Sequence, residues 1–271
     1  MPVSKANGVD IYYETAGNGP AMVFVHAMPF DHHLWLYQAD YFSSRFKVIA
    51  MDLRGWGRSA KPHAPFTLGA MGDDILGVMR DEGVTGDAVI VGCSVGSKLA
   101  LMLACEKPEI FRAAVLIGGN SGPQHQFDHR IAAYRDQHAA GTLKDYHLGH
   151  LRYGVTAGWA DTPLGRHLLD GFVTRGENLD PEAIANVFRA LSVSDLTPLL
   201  PAYTTPTLIL NGEHDNARAA GTKTAALIPH AEHRILSDTG HCCFIEDPAT
   251  ANGLIADFLK RNAMWPALPA A

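Results

Sequence analysis

Five short runs, apolar almost from end to end, limit most strongly what this chain can fold into. They are "AMVFVH" (21–26), "KVIAMD" (47–52), "DAVIVG" (87–92), "AAVLIGG" (113–119) and "TLILNG" (207–212). A strand with one wet face alternates apolar and polar residues. These runs do not alternate, so they predict strands covered on both faces, as in a parallel sheet lying between helix layers. Helix-like segments around 34–43, 67–81 and 95–106 supply the crossovers, and Pro248 suits the first turn of a last helix over 248–260. Near the N-terminus, "VDIYY" alternates and reads as an edge hairpin strand, while "HRILS" (233–237) reads as a final, less buried one. The fold class is therefore α/β, with a mostly parallel central sheet flanked by helices.

The strand signal lapses after Gly119 and returns only at "YTTPTLILNG". The chain thus divides into a core, residues 1–123 and 197–271, and a helical cap over 124–196. Ligands of open α/β sheets bind outside the carboxyl ends of the strands. An insertion leaving from such an end is expected to roof the site and govern which substrates enter.

Within "VIVGCSVGSKLALML" (89–103), Ser94 lies between Gly92 and Gly96 in a G-x-S-x-G pattern. The pattern alone is common, and a serine N-cap with glycines for packing would also explain it. Its context is more telling, since a buried-type strand ends and a helix begins there. A strand-to-helix turn that tight needs small neighbours and exposes its central hydroxyl. A serine hydroxyl is a poor nucleophile without a base to take its proton. Downstream strand-end loops offer one: "ILSDTGHCCF" carries His241, and "LILNGEHD" carries Asp215 to orient it. Glu213, Asp238 and Asp195 are rival carboxylates, ranked lower because the first two lie nearer their strands than the loop tip. The oxyanion of an acyl-transfer reaction needs donors. The backbone N–H of Val95, following the nucleophile, is one, and that of Met28 in "HAMPFDHHLW" is assigned as the other. His26 ends a strand and is expected to fix this loop by hydrogen bonding.

Composition narrows the partners. A formal net charge of −6 with no long basic run argues against nucleic acid and anionic membrane surfaces. No apolar run reaches membrane-spanning length, and the N-terminus lacks a secretory-type apolar segment, so a cytoplasmic location is the default. Cys93, Cys105, Cys242 and Cys243 suggest no disulfide framework. Cys93 is expected to fill space behind the serine turn, and the adjacent pair to pack at the site's edge. His125 and His129 have metal-pair spacing without an acidic motif, and His32 and His33 read as loop surface. No metal is expected, and no phosphate-binding glycine loop or dinucleotide fingerprint calls for a cofactor. A small-molecule substrate is the expected partner; monomer and homo-oligomer both stay open.

Five motifs in order make the chain resemble the α/β-hydrolase superfamily over nearly its whole length. His26-Ala27-Met28-Pro29 matches the strand-end HG-x-P, and Asp52-Leu53-Arg54-Gly55-Trp56-Gly57-Arg58-Ser59 matches D-x-x-G-x-G-x-S. The elbow, acid loop and histidine loop fall at Ser94, Asp215 and His241. Two departures are Ala27, where glycine is usual, and Ser97, where a third small residue, often glycine, is common. A serine at the elbow argues against the dehalogenase and epoxide hydrolase branches, which attack with a carboxylate. The resemblance implies a Ser-His-Asp hydrolase of small, moderately apolar esters or lactones, similar to carboxylesterases and enol-lactone hydrolases. Carbon–carbon bond hydrolases of ring-cleavage products share the layout and would need a cation for the substrate carboxylate. Arg130, Arg135, Arg152, Arg166, Arg175 and Arg189 are the options. Cofactor-free perhydrolases and non-catalytic ligand receptors of this fold are further alternatives.

Overall fold

The computed structural model describes residues 2–5, 7–123 and 127–268. Its strands are β1 (Val3–Ser4), β2 (Ile11–Ala16), β3 (Ala21–Val25), β4 (Lys47–Met51), β5 (Ala88–Cys93), β6 (Phe111–Ile117), β7 (Thr207–Gly212) and β8 (Glu232–Leu236). They form one sheet in the order β1-β2-β4-β3-β5-β6-β7-β8. Only the β1–β2 and β2–β4 pairs are antiparallel; every other neighbour is parallel. The "VDIYY" strand is not the edge expected of it. The two-residue β1 pairs outside it, and β2 itself lies between β1 and β4. At the other end β8 is the edge and is only partly buried, as its sequence predicts.

The helices are α1 (Leu36–Ser43), α2 (Leu68–Asp81), α3 (Val95–Glu106), α4 (Asp128–Ala139), α5 (Leu143–Tyr153), α6 (Ala157–Ala160), α7 (Pro163–Arg175), α8 (Pro181–Ser192), α9 (Arg218–Leu227), α10 (Cys243–Glu246) and α11 (Pro248–Arg261). Successive strand side chains bury against different layers. Val23, Ile49 and Ile90 pack in one core with Met71, Ile75 and Leu99 of α2 and α3. Met22, Phe24, Val48 and Val89 pack in the other with Phe42 of α1 and Ile255 and Phe258 of α11. Each such side chain contributes about 1.5–3 kcal/mol by leaving water, so both faces hold the sheet in place. Between β6 and β7 the regular elements among the described residues are all helical, α4 to α8 with two 3₁₀ turns. Among the described residues no helix is long and apolar enough to cross a membrane.

Helix starts follow their caps. Thr67 accepts from the Ala70 N–H before α2, and Asp247 from the Thr250 N–H before α11, where Pro248 occupies the first turn as predicted. The helix expected over 34–43 divides into a short 3₁₀ turn, His32–Trp35, and α1.

The D-x-x-G-x-G-x-S segment is a brace. Buried Arg54 forms a two-pronged ion pair with buried Asp74, at 2.5 and 2.7 Å. Trp56 is buried and packs in the core with Leu53 and Leu68. Asp52 accepts from the backbone N–H groups of His32 and Arg58, each at 2.8 Å, and from His32 Nδ1 at 2.7 Å. His32 is therefore buried and paired, which corrects its reading as loop surface. Its Nε2 also lies 3.4 Å from Glu14 Oε1. Burial alone would push this imidazole down, but the hydrogen bond and charge of Asp52, with Asp31 and Glu14 behind, hold it above 6.5. Stability from a raised histidine is complete below its unfolded value and is lost as pH rises through its native one. His32→Gln should therefore cost more stability at about pH 5.5 than at about pH 8.5 in urea unfolding; an equal cost at both would contradict the pairing.

Candidate active site

β5 runs directly into α3, and Ser94 is the junction. Its backbone is at φ 55°, ψ −112°, a left-handed conformation that costs a non-glycine residue about 1–3 kcal/mol. Two close approaches enforce the turn. A Cβ at Gly96 would strike the Val25 carbonyl oxygen of β3, and one at Gly92 the Gly96 carbonyl. Ser94 N–H donates to Ile117 O at 2.9 Å, fixing the turn to β6 as well. The buried α3 start places the Val95 N–H and the positive end of the helix beside the serine.

Asp215 and His241 arrive on the loops after β7 and β8. Asp215 is buried, and its Oδ1 lies 2.8 Å from His241 Nδ1. Asn211 Nδ2 donates to its Oδ2 at 2.7 Å, and the Ala217 N–H to its Oδ1 at 2.8 Å. The carboxylate is thus anchored before it meets the imidazole. Burial alone would raise Asp215, but its bond to His241 holds it below the ordinary 3.8. Burial alone would lower His241, and Asp215 more than offsets that, holding it above 6.5. The rivals do not reach. Glu213 accepts from the Asp238 N–H, both being exposed, and exposed Asp195 accepts from the Thr197 N–H.

Ser94, His241 and Met28 line one cavity of about 470 Å³, with Phe30 and Leu191 among its apolar walls. Gly118 follows β6 at φ +58°, and only its lack of a Cβ admits the His241 ring against it. The Met28 loop is held from behind: His26 Nε2 accepts from the Leu53 N–H at 2.8 Å, and its Nδ1 donates to Ala27 O at 2.9 Å. His26 is fully buried and its imidazole is pushed down by burial, so it serves as a neutral brace, as the sequence suggested. Ala27 is also fully buried, accommodated where glycine is usual. Cys93, Cys242 and Cys243 are buried, free thiols; burial lifts Cys93 and Cys243 well above their ordinary range, leaving them inert. His125 lies outside the described residues, and His129 is exposed on α4.

One of the six arginines faces the cavity. Arg130 lines it, with NH1 3.5 Å from His150 Nε2, and among the described residues no carboxylate pairs with it. The other five bond elsewhere: Arg135 to Glu182, Arg152 and Arg166 to Asp161, Arg175 to Asp31, and Arg189 to Asn186. His150 is pushed down to about 3 by burial and then by Arg130, so it lines the cavity uncharged.

Two features carry no sequence signal. Asn211 lies within a strand run and is indistinguishable there from a strand-end polar residue. Glu246 sits in α10, and its partner Thr156 is 90 residues away in sequence.

A family model described as alpha/beta hydrolase fold matches residues 20–147. The chain has the alpha/beta hydrolase fold. It is 25% identical to the 3-oxoadipate enol-lactonase 2 of Acinetobacter baylyi, over 94% of this chain and 95% of that one. It is 26% identical to the 2-(acetamidomethylene)succinate hydrolase of Mesorhizobium japonicum, over 90% and 89%. The crystal structure of the enol-lactonase from Burkholderia xenovorans superposes with a TM-score of 0.87 at 25% identity, covering 96% of this chain and all of that one.

The Asp215 bond makes a checkable claim about the imidazole. In Asp215→Asn the largest influence left on His241 is burial, which lowers it, with smaller and opposed effects from Cys242 and Arg130, so its NMR titration midpoint should fall from above 6.5. An unchanged midpoint would contradict the pairing.

Proposed function

We propose that this chain is a serine hydrolase that cleaves a small carboxylic ester or lactone through an acyl-enzyme. The observation that carries this is the anchored Asp215–His241 pair opening onto the same cavity as Ser94 on its strained turn. His241 takes the proton from Ser94 Oγ as that oxygen attacks the carbonyl carbon. The backbone N–H groups of Met28 and Val95 hold the oxyanion. As the tetrahedral intermediate collapses, His241 returns the proton to the leaving oxygen. Water then attacks the acyl carbon, giving its proton to His241, which passes it to Ser94 Oγ as the bond between that oxygen and the acyl carbon breaks and the acid product leaves. Asp215 keeps the Nδ1–H tautomer and stabilises the imidazolium. No step calls for a cofactor or metal. The cavity volume suits a small molecule, and residues 124–196 act as the cap that shapes it.

Arg130 favours a substrate carrying a carboxylate, which keeps the carbon–carbon bond hydrolase alternative in play alongside an acidic lactone. A charged hydrogen bond of this kind is worth about 1.5–3 kcal/mol.

Ser94→Ala should lose at least about 10³-fold in p-nitrophenyl ester turnover and all stoichiometric fluorophosphonate labelling. Labelling equal to wild type would overturn the nucleophile assignment. A base must be neutral to accept a proton, so kcat/KM should rise with pH through a midpoint above 6.5. Arg130→Met should lower kcat/KM about tenfold or more for carboxylate-bearing esters relative to neutral ones of equal size. An unchanged ratio would point to a neutral substrate.

A further inference from the structure

The loop that carries His241 is tied on both sides of that residue to the helical segment between β6 and β7. On one side, the Gly240 N–H donates to Glu246 Oε1 at 2.7 Å. The other oxygen of the same carboxylate, Oε2, accepts from the Thr156 N–H at 2.9 Å and from Thr156 Oγ1 at 2.5 Å. On the other side, the Cys242 N–H donates to Gly154 O at 2.7 Å. Gly154 itself lines the cavity, and Thr156 caps α6. The histidine thus takes its place from residues 154–156 as much as from β8.

We propose that Glu246 is a positioning residue for the hydrolysis, clamping the loop of His241 to Thr156 so that the base is aligned only while the helical segment is seated. This rests on the proposed hydrolase reading. The carboxylate suits the task because three groups donate to it, two backbone N–H groups and one hydroxyl. An ionised carboxylate has acceptor sites for all of them, and bonds to a charged acceptor are about twice as strong as neutral ones. A glutamine of the same shape cannot do this. One of its ends becomes an NH₂, which would face an N–H donor and force the loop to shift. Misplacing a catalytic group by about 1 Å costs up to about 10²-fold in rate. The substrate is held mainly by the cavity walls, not by Glu246, so its binding should change little.

Glu246→Gln should therefore lower kcat for a p-nitrophenyl ester about 10- to 100-fold while KM stays within about twofold. Thr156→Val removes one of the three donors from across the clamp and should lower kcat about three- to tenfold, with Thr156→Ser restoring it. The double variant should be little slower than Glu246→Gln alone, because both changes break one connection. Fluorophosphonate labelling of the wild type is the control: if it fails, the hydrolase reading is at fault. If it succeeds and Glu246→Gln lowers only the melting temperature, leaving kcat of the folded enzyme intact, the clamp has no role in alignment. Full kcat in Thr156→Val would equally overturn it. Multiplying, independent losses in the double variant would overturn the connection.

Discussion

The contact between α3 and the end of β3 is the constraint on which the site depends. Because Gly96 has no side chain, the helix can start against the Val25 carbonyl, and the chain must turn so sharply at Ser94 that this residue takes φ 55°. Such strain persists only where the surroundings over-determine it. Here they do, through a buried sheet, a buried helix and a hydrogen bond to β6. The hydroxyl is therefore held out at the sheet's carboxyl end, beside the first free amides of the helix.

Everything else at the site is arranged around that fixed point by indirect support. The Met28 loop is braced by His26 and, further back, by Asp52 and His32. Asp215 is anchored by Asn211 and the Ala217 N–H before it bonds to His241. The histidine loop has the least sheet behind it, since β8 is an edge strand, and it is correspondingly the loop strapped to the helical segment. Loops positioned in this way by a rigid scaffold can carry chemistry without giving up a defined geometry.

The sheet was legible because strands buried on both faces must be apolar at every position, and the five runs are. Ser94 and Asp215 stand out because each follows such a run, and His241 because it follows the last, less buried strand; their convergence needs only the rule that parallel strands end on one side. The errors lie where tertiary partners decide. His32 looked like surface because nothing in the local sequence reveals Asp52 behind it, and "VDIYY" looked like an edge because a two-residue strand gives no periodicity. Choosing among six arginines requires knowing which are held by partners elsewhere, a matter of helix packing and not of spacing. Glu246 was invisible for the same reason.

The most direct test of the proposed covalent mechanism is to look for its intermediate. Wild-type protein mixed with a p-nitrophenyl ester, acid-quenched within milliseconds to seconds and analysed by peptide mass spectrometry should carry one acyl group on the Ser94 oxygen, accumulating with a burst of p-nitrophenol. Turnover with no acyl group trapped on that residue, or with the adduct on a different side chain, would contradict the account.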